Sequence, residues 1–383
     1  MLTGMEPFRI NISQSDLDDL NTRIDATRWP AAYPGAAWSR GVPLSYLRRI
    51  TEYWRHEYSW RAAEAKLNEF PQFTTEIDGH NIHFLHVTSP HPDAIPLLLT
   101  HGWPGSIVEF TGIIGPLTDP KAHGADGPAF HLVIPSLPGY GFSGPSPDEG
   151  WTTRRIAKAW AELMSRLGYD RYVAQGGDRG VGVTRDLGIV DPEHVAAVHV
   201  NGGFTFPGGA DPDDETLSER ERIRVRRMQE FMSESGAYLA LHSSRPYSVA
   251  YAFNDSPVGL LAWIIERFKD WSDPAKQLPE DAVDLDQLLT NVCVYWFTQT
   301  AGSAANAYYE DAVSGAGWGP KEPSTVPAGV AQFTTQDIAL RRDDEAANNI
   351  VHWAEYFRGG HFAAMEAPDL LVADLREFFG RHH

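Results

Sequence analysis

The sequence has almost no cysteine. Its single one, Cys293, excludes an internal disulfide and fits a reducing compartment. It stands in the apolar run LLTNVCVYWF, where a lone cysteine serves as a small core residue. Basic residues are scarce as well: 32 Lys and Arg face 51 Asp and Glu, a net charge of −19. A field of that sign repels phosphate backbones and anionic lipid, which argues against nucleic acid and membranes as partners. Long hydrophobic runs are missing, since IPLLLT is only strand-sized. The start MLTGMEPFRINIS has neither the basic nor the apolar stretch of a secretory signal. A soluble, cytoplasmic protein is expected.

What the chain does have is a change of texture along its length. SQSDLDDLNTRIDATRWP predicts a helix capped by Ser13 or Ser15, with Leu17, Leu20 and Ile24 as its apolar stripe and Pro30 as its stop. A second helical pattern runs through LSYLRRITEYWRHEYSWRAAEAKLNEF. Then β-prone runs flank Asp78-Gly79, a dipeptide suited to a tight hairpin. Short apolar runs follow, IPLLLTHG, FHLVIPSLPG, RYVAQGGD and HVAAVHVNGG, with helical patterns such as WTTRRIAKAWAELMSRLG between them. Strand and helix in alternation predict an α/β fold with a mostly parallel sheet flanked by helices. The alternation stops near Phe204 and strand signals return at GVAQFTT and NNIVHWAEY, before a closing helix that opens with Pro368 and ends at Gly380. The expected layout is an N-terminal helical extension (1–70), a first part of the core (71–203), a helical lid (204–310) and a second part of the core (311–383).

Three segments carry chemistry. In VAQGGDRGVG a strand, a sharp turn and a helix place Asp178 among glycines, the layout of a nucleophile elbow. The plainer alternative is that Asp178 caps the helix after it. HGWPGS, directly after a strand, can aim backbone N–H groups at an oxyanion. Trp103 and Arg179 are the candidate donors, both through the main chain. RGGHFAAMEAPDLL places His361 on a loop between the last strand and the last helix, where it can serve the elbow as general base. The acid that orients it should end the preceding strand, which selects Asp337, with Asp343 and Asp344 as neighbours that compete for the role.

On these and further segments the chain resembles the epoxide hydrolases of the α/β-hydrolase superfamily, in particular bacterial, soluble members with a microsomal-type N-terminal region. The resemblance runs over nearly the whole chain, through PFRINISQSDLDDLNTRIDATRWP, HGWPGSIVEF, IPSLPGYGFSG, QGGDRG, NDSPVGLLAWIIERF, YWFTQT and RGGHFAAMEAPDLL. It implies Asp178 as nucleophile and His361 as base. It also implies two lid tyrosines that bind the epoxide oxygen, Tyr238 and Tyr308, with Tyr309 adjacent to the second. It implies no metal or cofactor. The sequence departs from the family pattern at Phe333-Thr334-Thr335-Gln336-Asp337, where Phe-Pro-x-Asp or Glu is usual. It departs again at Arg179, where an aromatic is common and which is expected to make the pocket wall charged.

A carboxylate suits that chemistry. An epoxide offers a saturated carbon, which an already ionised Asp can attack, and the resulting ester has the carbonyl that a serine ether would lack. Expected partners are a small-molecule epoxide and water, with a homodimer compatible on base rates. The aromatic lid, with Trp263, Trp271, Tyr295, Trp296 and Phe297, suggests a bulky, apolar or aromatic substrate, from detoxification or natural-product biosynthesis. A haloalkane dehalogenase and a non-catalytic hydrolase-fold binding protein are the alternatives; Arg179 and the paired tyrosines speak against the first.

Overall fold

In a computed structural model of the protein, the described residues are 4–35, 37–146, 148–207, 210–315, 322–334 and 338–383, so Asp337 lies outside them. Met5–Phe8 forms β1, a short strand that pairs antiparallel with β2 (Gln72–Ile77). Its brevity and Pro7 suit it to a sheet edge, and explain why no strand is read there from sequence. Asp78 and Gly79 both take positive φ, 51° and 75°, which closes the tight hairpin between β2 and β3 (His80–Val87).

The apolar runs become β4 (Ile95–Thr100), β5 (Phe130–Pro135), β6 (Tyr172–Gly177), β7 (Val195–Asn201), β8 (Ser324–Gln332) and β9 (Asn348–Glu355). They complete a nine-stranded sheet of order β1-β2-β3-β5-β4-β6-β7-β8-β9, parallel from β5 to β9 and antiparallel from β1 to β5. Every residue of β6 and β7 is buried, as parallel strands covered on both faces require. The fold is that of an α/β-hydrolase.

The first helix is Gln14–Asp25, capped by Ser13, and it ends before Pro30 is reached. The second helical pattern is two helices, Leu44–His56 and Trp60–Leu67, because the Ser59 side chain accepts from the Ala62 N–H and starts the chain afresh. This N-terminal region is fastened to the lid by three tyrosine hydroxyls: Tyr46 to Glu280 (2.7 Å), Tyr53 to Asp286 (2.8 Å) and Tyr58 to Thr290 (3.0 Å). The lid is helical from Glu219–Glu230 to Ala301–Ser314; its last helix passes residue 310 and stops where Gly315 turns left-handed, φ 69°. Among the described residues no helix is long and apolar enough to cross a membrane.

Candidate active site

Asp178 stands between β6 and the helix Arg179–Val190, with φ 54° and ψ −123°. A non-glycine residue held there stores about 1–3 kcal/mol of backbone strain, which only a tightly determined surround can impose. That surround is visible: a Cβ on Gly102 would collide with the Asp178 side chain, and one on Gly180 would collide with the Thr100 carbonyl. The side chain makes no capping hydrogen bond to its helix. Asp178 therefore occupies the N-cap position without capping the helix through its side chain. Instead Oδ1 accepts from the Trp103 N–H at 2.9 Å, and Oδ2 lies 3.5 Å from His361 Nε2.

The HGWPGS loop that supplies the Trp103 donor is held from both sides. On the core side His101 Nδ1 lies 3.0 Å from the Gly102 carbonyl, and His101 Nε2 accepts from the Leu137 N–H at 3.2 Å. Burial pushes that imidazole down to about 4, so it stays neutral and the tautomer is fixed. On the lid side Asn291 donates to the Pro104 carbonyl (2.6 Å) and accepts from Ser106 (2.7 Å). Tyr295 donates to the Gly105 carbonyl (2.6 Å). The Arg179 N–H is in the first turn of its helix, where intrahelical bonding leaves donors free.

His361 follows Gly359, φ 82°, on the loop after β9. Its N–H donates to the Trp271 carbonyl (2.8 Å), and its own carbonyl accepts from Asn201 at the end of β7 (3.2 Å). Asn201 also accepts from Gln175 on β6 (2.7 Å), so one amide ties the strand before the elbow to the histidine loop. Glu366 accepts from the N–H groups of Phe362 (3.0 Å) and Asp273 (2.7 Å), clamping the other side. Burial lowers the His361 pKa and the Asp178 charge opposes it, leaving a neutral imidazole at pH 7.

The acid partner cannot be placed on Asp337, which lies outside the described residues. Thr334, three residues before it, donates through both its N–H (3.2 Å) and its hydroxyl to the Gly359 carbonyl, so the chain just after β8 meets the His361 loop. The competitors are engaged elsewhere. Asp344 is buried against Thr205 (2.5 Å) and the Phe204 N–H (3.1 Å), and Asp343 is half-exposed beside Arg342.

The lid closes the site with rings. Trp103 stacks on Tyr238, 5.2 Å apart and 11° from parallel, while Tyr308 stands edge-on to both, at 6.1 and 6.0 Å. The Tyr308 hydroxyl is buried and has no hydrogen-bond partner among the described residues, a state that a bound ligand would relieve. Tyr309, by contrast, is exposed, so of the two adjacent tyrosines Tyr308 belongs to this cluster. Burial first, and then the nearby Asp178 charge, hold both Tyr238 and Tyr308 well above the ordinary phenol range. They are hydrogen-bond donors throughout the neutral range.

Several residues here carry no sequence signal of their own. His242 is fully buried, 4.7 Å from Trp103 and 5.4 Å from Tyr308 by ring centres. Its Nε2 accepts from the Trp263 indole at 3.2 Å, so the proton sits on Nδ1, and burial pushes its pKa down to about 3. The Arg267 guanidinium lies over the Tyr238 ring at 5.3 Å. The carboxyl of buried Glu109 fills the space beside Gly105 and is pushed up to about 8, by burial and then by Asp178 and Glu366. Arg179 does not make the wall a free charge: its guanidinium is buried and paired with Asp311. Each of these is fixed by contacts across more than a hundred residues or by burial, neither of which periodicity reveals.

Residues 5–110 match the family model for the epoxide hydrolase N terminus, and residues 95–368 match that for the alpha/beta hydrolase fold. A protein of Stigmatella aurantiaca (strain DW4/3-1), named "Putative epoxide hydrolase", is 46% identical over 98% of this chain and 85% of its own. "Epoxide hydrolase 1" of Sus scrofa is 34% identical over 98% of this chain and 89% of its own. The solved structure of Aspergillus niger epoxide hydrolase superposes with a TM-score of 0.86 at 34% identity, covering 99% of this chain and 96% of that one. With its nucleophile-elbow fold, its matched N-terminal region and these relatives, the chain belongs to the epoxide hydrolase family of α/β-hydrolases.

Proposed function

We propose that Asp178 opens the epoxide by direct attack and that the resulting ester is hydrolysed by a water activated by His361. The observation that carries this reading is the setting of the Asp178 carboxylate. One oxygen is held by the Trp103 N–H at 2.9 Å, and the other is left 3.5 Å from a neutral imidazole. The first contact aims the carboxylate; the second places the base next to it.

Ring opening forms a C–O bond from Asp178 and breaks the ring C–O bond, leaving an alkoxide. Tyr238 and Tyr308 meet it from the lid as neutral donors. The order of charges helps them. While Asp178 is ionised it raises both phenol pKa values; once it is esterified that charge is gone, and the phenols become better acids as the alkoxide appears. The same loss removes the anion that props up the His361 pKa, so the histidine is a neutral base for the second step. Water, deprotonated by His361, adds to the ester carbonyl; the oxyanion forms where the Trp103 N–H points, with the Arg179 N–H as the second donor. Collapse releases the vicinal diol and restores Asp178. Asp337 is assigned the role of orienting His361, on its place in the sequence at the end of the β8 run.

The rings of Trp103, Trp271, Tyr238 and His242 make a wall suited to a bulky, apolar or aromatic epoxide. A cytoplasmic location accords with a lone, buried cysteine. The test is single-turnover hydrolysis of styrene oxide by excess enzyme in 18O water. Unlabelled first diol, with label in the peptide containing Asp178, is expected. Label in the first diol and none at Asp178 would mean that water attacks the epoxide directly.

A further inference from the structure

The residue after the nucleophile joins the two walls of the site. Arg179 begins the helix Arg179–Val190, but its side chain leaves that helix and reaches into the lid, with 4% of its surface exposed. Nη2 donates to the Trp151 carbonyl on the core side at 2.8 Å. Nη1 donates to the Ala307 carbonyl at 3.0 Å and pairs with Asp311; both belong to the lid helix Ala301–Ser314. Ala307 and Asp311 bracket Tyr308 within one helical turn. A second tie sits beside them, where Glu310 accepts from the Gly150 N–H at 2.8 Å.

We propose that Arg179 is a positioning residue, which sets where the Tyr308 hydroxyl stands relative to the Asp178 carboxylate by tying the elbow to the lid helix. This rests on the reading of Tyr308 as a donor to the epoxide oxygen. A buried ion pair is a poor device for stability alone, since apolar side chains of the same volume serve as well or better. A planar fork that reaches two carbonyls and a carboxylate in fixed directions is a good device for geometry. Lysine, a single point charge, cannot span the same three acceptors. The tie also explains how an arginine is tolerated beside the nucleophile: Asp311 balances its charge, and both Nη atoms donate to carbonyls.

The experiment uses single turnovers of styrene oxide, following ester formation by tryptophan fluorescence and ester hydrolysis by diol release. Four proteins are compared: wild type, R179M/D311L, Y308F and the triple variant. R179M/D311L removes both charges together and so leaves no unpaired buried ion, and its melting temperature serves as the check on folding. It should slow ester formation by about ten- to a hundredfold, the cost of a misplaced group, and slow ester hydrolysis clearly less, since the Arg179 N–H assigned to that step belongs to the main chain and is kept. In the Y308F background the same two changes should cost less than about twofold more, because the group they position is already gone. Should R179M/D311L fail to fold, D311N, which keeps the arginine and its carbonyl contacts, must show the same split with a smaller loss. If the Arg179 and Tyr308 effects multiply, or if ester hydrolysis slows as much as ester formation, Arg179 does not act through Tyr308. Slow ester formation in Y308F with multiplying effects would remove only the positioning role. Normal ester formation in Y308F would remove the role of Tyr308 and this proposal with it.

Discussion

On the sheet side of the site, reacting groups stand at the carboxyl ends of strands and are aimed largely by backbone. Asp178 follows β6, the Trp103 N–H follows β4, and His361 follows β9; the His361 loop is pinned by Asn201, Glu366 and Thr334, and the Trp103 loop by His101, Asn291 and Tyr295. On the lid side the groups are neutral phenols aimed by side chains, with Arg267 over Tyr238 and Arg179 on the helix of Tyr308. On the proposed mechanism the sheet side holds what any ester hydrolysis needs: a nucleophile, a base and an oxyanion donor. The lid side holds what an epoxide adds, which is a leaving oxygen that must be met by a donor. If the proposed mechanism holds, the comparison teaches that the lid phenols serve only ester formation and His361 only ester hydrolysis, so that the two steps can be broken separately.

The sharpest break is His361→Gln. Ester formation needs only Asp178 and the phenols, so it should proceed at near its normal rate, whereas turnover should fall about 10³-fold or more, as for other members of a catalytic unit. Intact-protein mass spectrometry should then show the enzyme heavier by one substrate. An equal loss of ester formation would join the two walls again. The same division sets the pH dependence of the wild-type protein. Burial puts the His361 pKa below its ordinary value of 6.5, and the base works when neutral. Ester hydrolysis should therefore be flat through neutral pH and fall only on the acid side, below that value.

Breaking the other wall should cost less and should reverse the pattern. Tyr238→Phe and Tyr308→Phe should each slow ester formation by about ten- to a hundredfold, with the double variant losing about 10³-fold, while the ester, once formed, hydrolyses normally. Rapid-quench measurement of both steps checks this. A loss confined to ester hydrolysis in either variant would put the phenols on the wrong step.

The same two walls differ in how far the sequence reveals them. The elbow was legible because its parts are local: a strand-sized apolar run, glycines where the backbone is crowded, and Asp178 between them. The hairpin at Asp78-Gly79 was legible for the same reason. Sequence pattern points to the aromatic character of the lid but to neither of its two donors; Tyr238 and Tyr308 rest on resemblance, since most tyrosines only pack. The pairing of Arg179 with Asp311, the bracing of the HGWPGS loop by Asn291, and the fixed tautomer of His242 depend on contacts between distant segments. By sequence Arg179 puts a charge in the pocket wall, and only its partner across the lid shows that charge to be balanced. Asp337 is legible only as the acid that ends a strand-like run. The structure narrows that choice by drawing Asp344 to Phe204 and Thr205 instead.

The smallest expected effect sits behind the sheet-side wall, at Glu109. Its carboxyl is buried beside Gly105, near two other acids, and its pKa is raised from 4.5 to about 8. A group whose folded-state pKa is raised holds its proton more tightly when folded. The stability linked to that proton is complete below about 4.5 and is lost as pH rises to about 8. Glu109→Gln keeps the shape and removes the titration. It should match the wild type in melting temperature near pH 5 and exceed it by a few degrees near pH 9, with the difference growing between those limits. Thermal melts of both proteins across that range decide the matter. A constant difference would mean that Glu109 is ionised in the folded protein throughout, and that the sheet-side wall holds two neighbouring carboxylates, Asp178 and Glu109, in the resting enzyme.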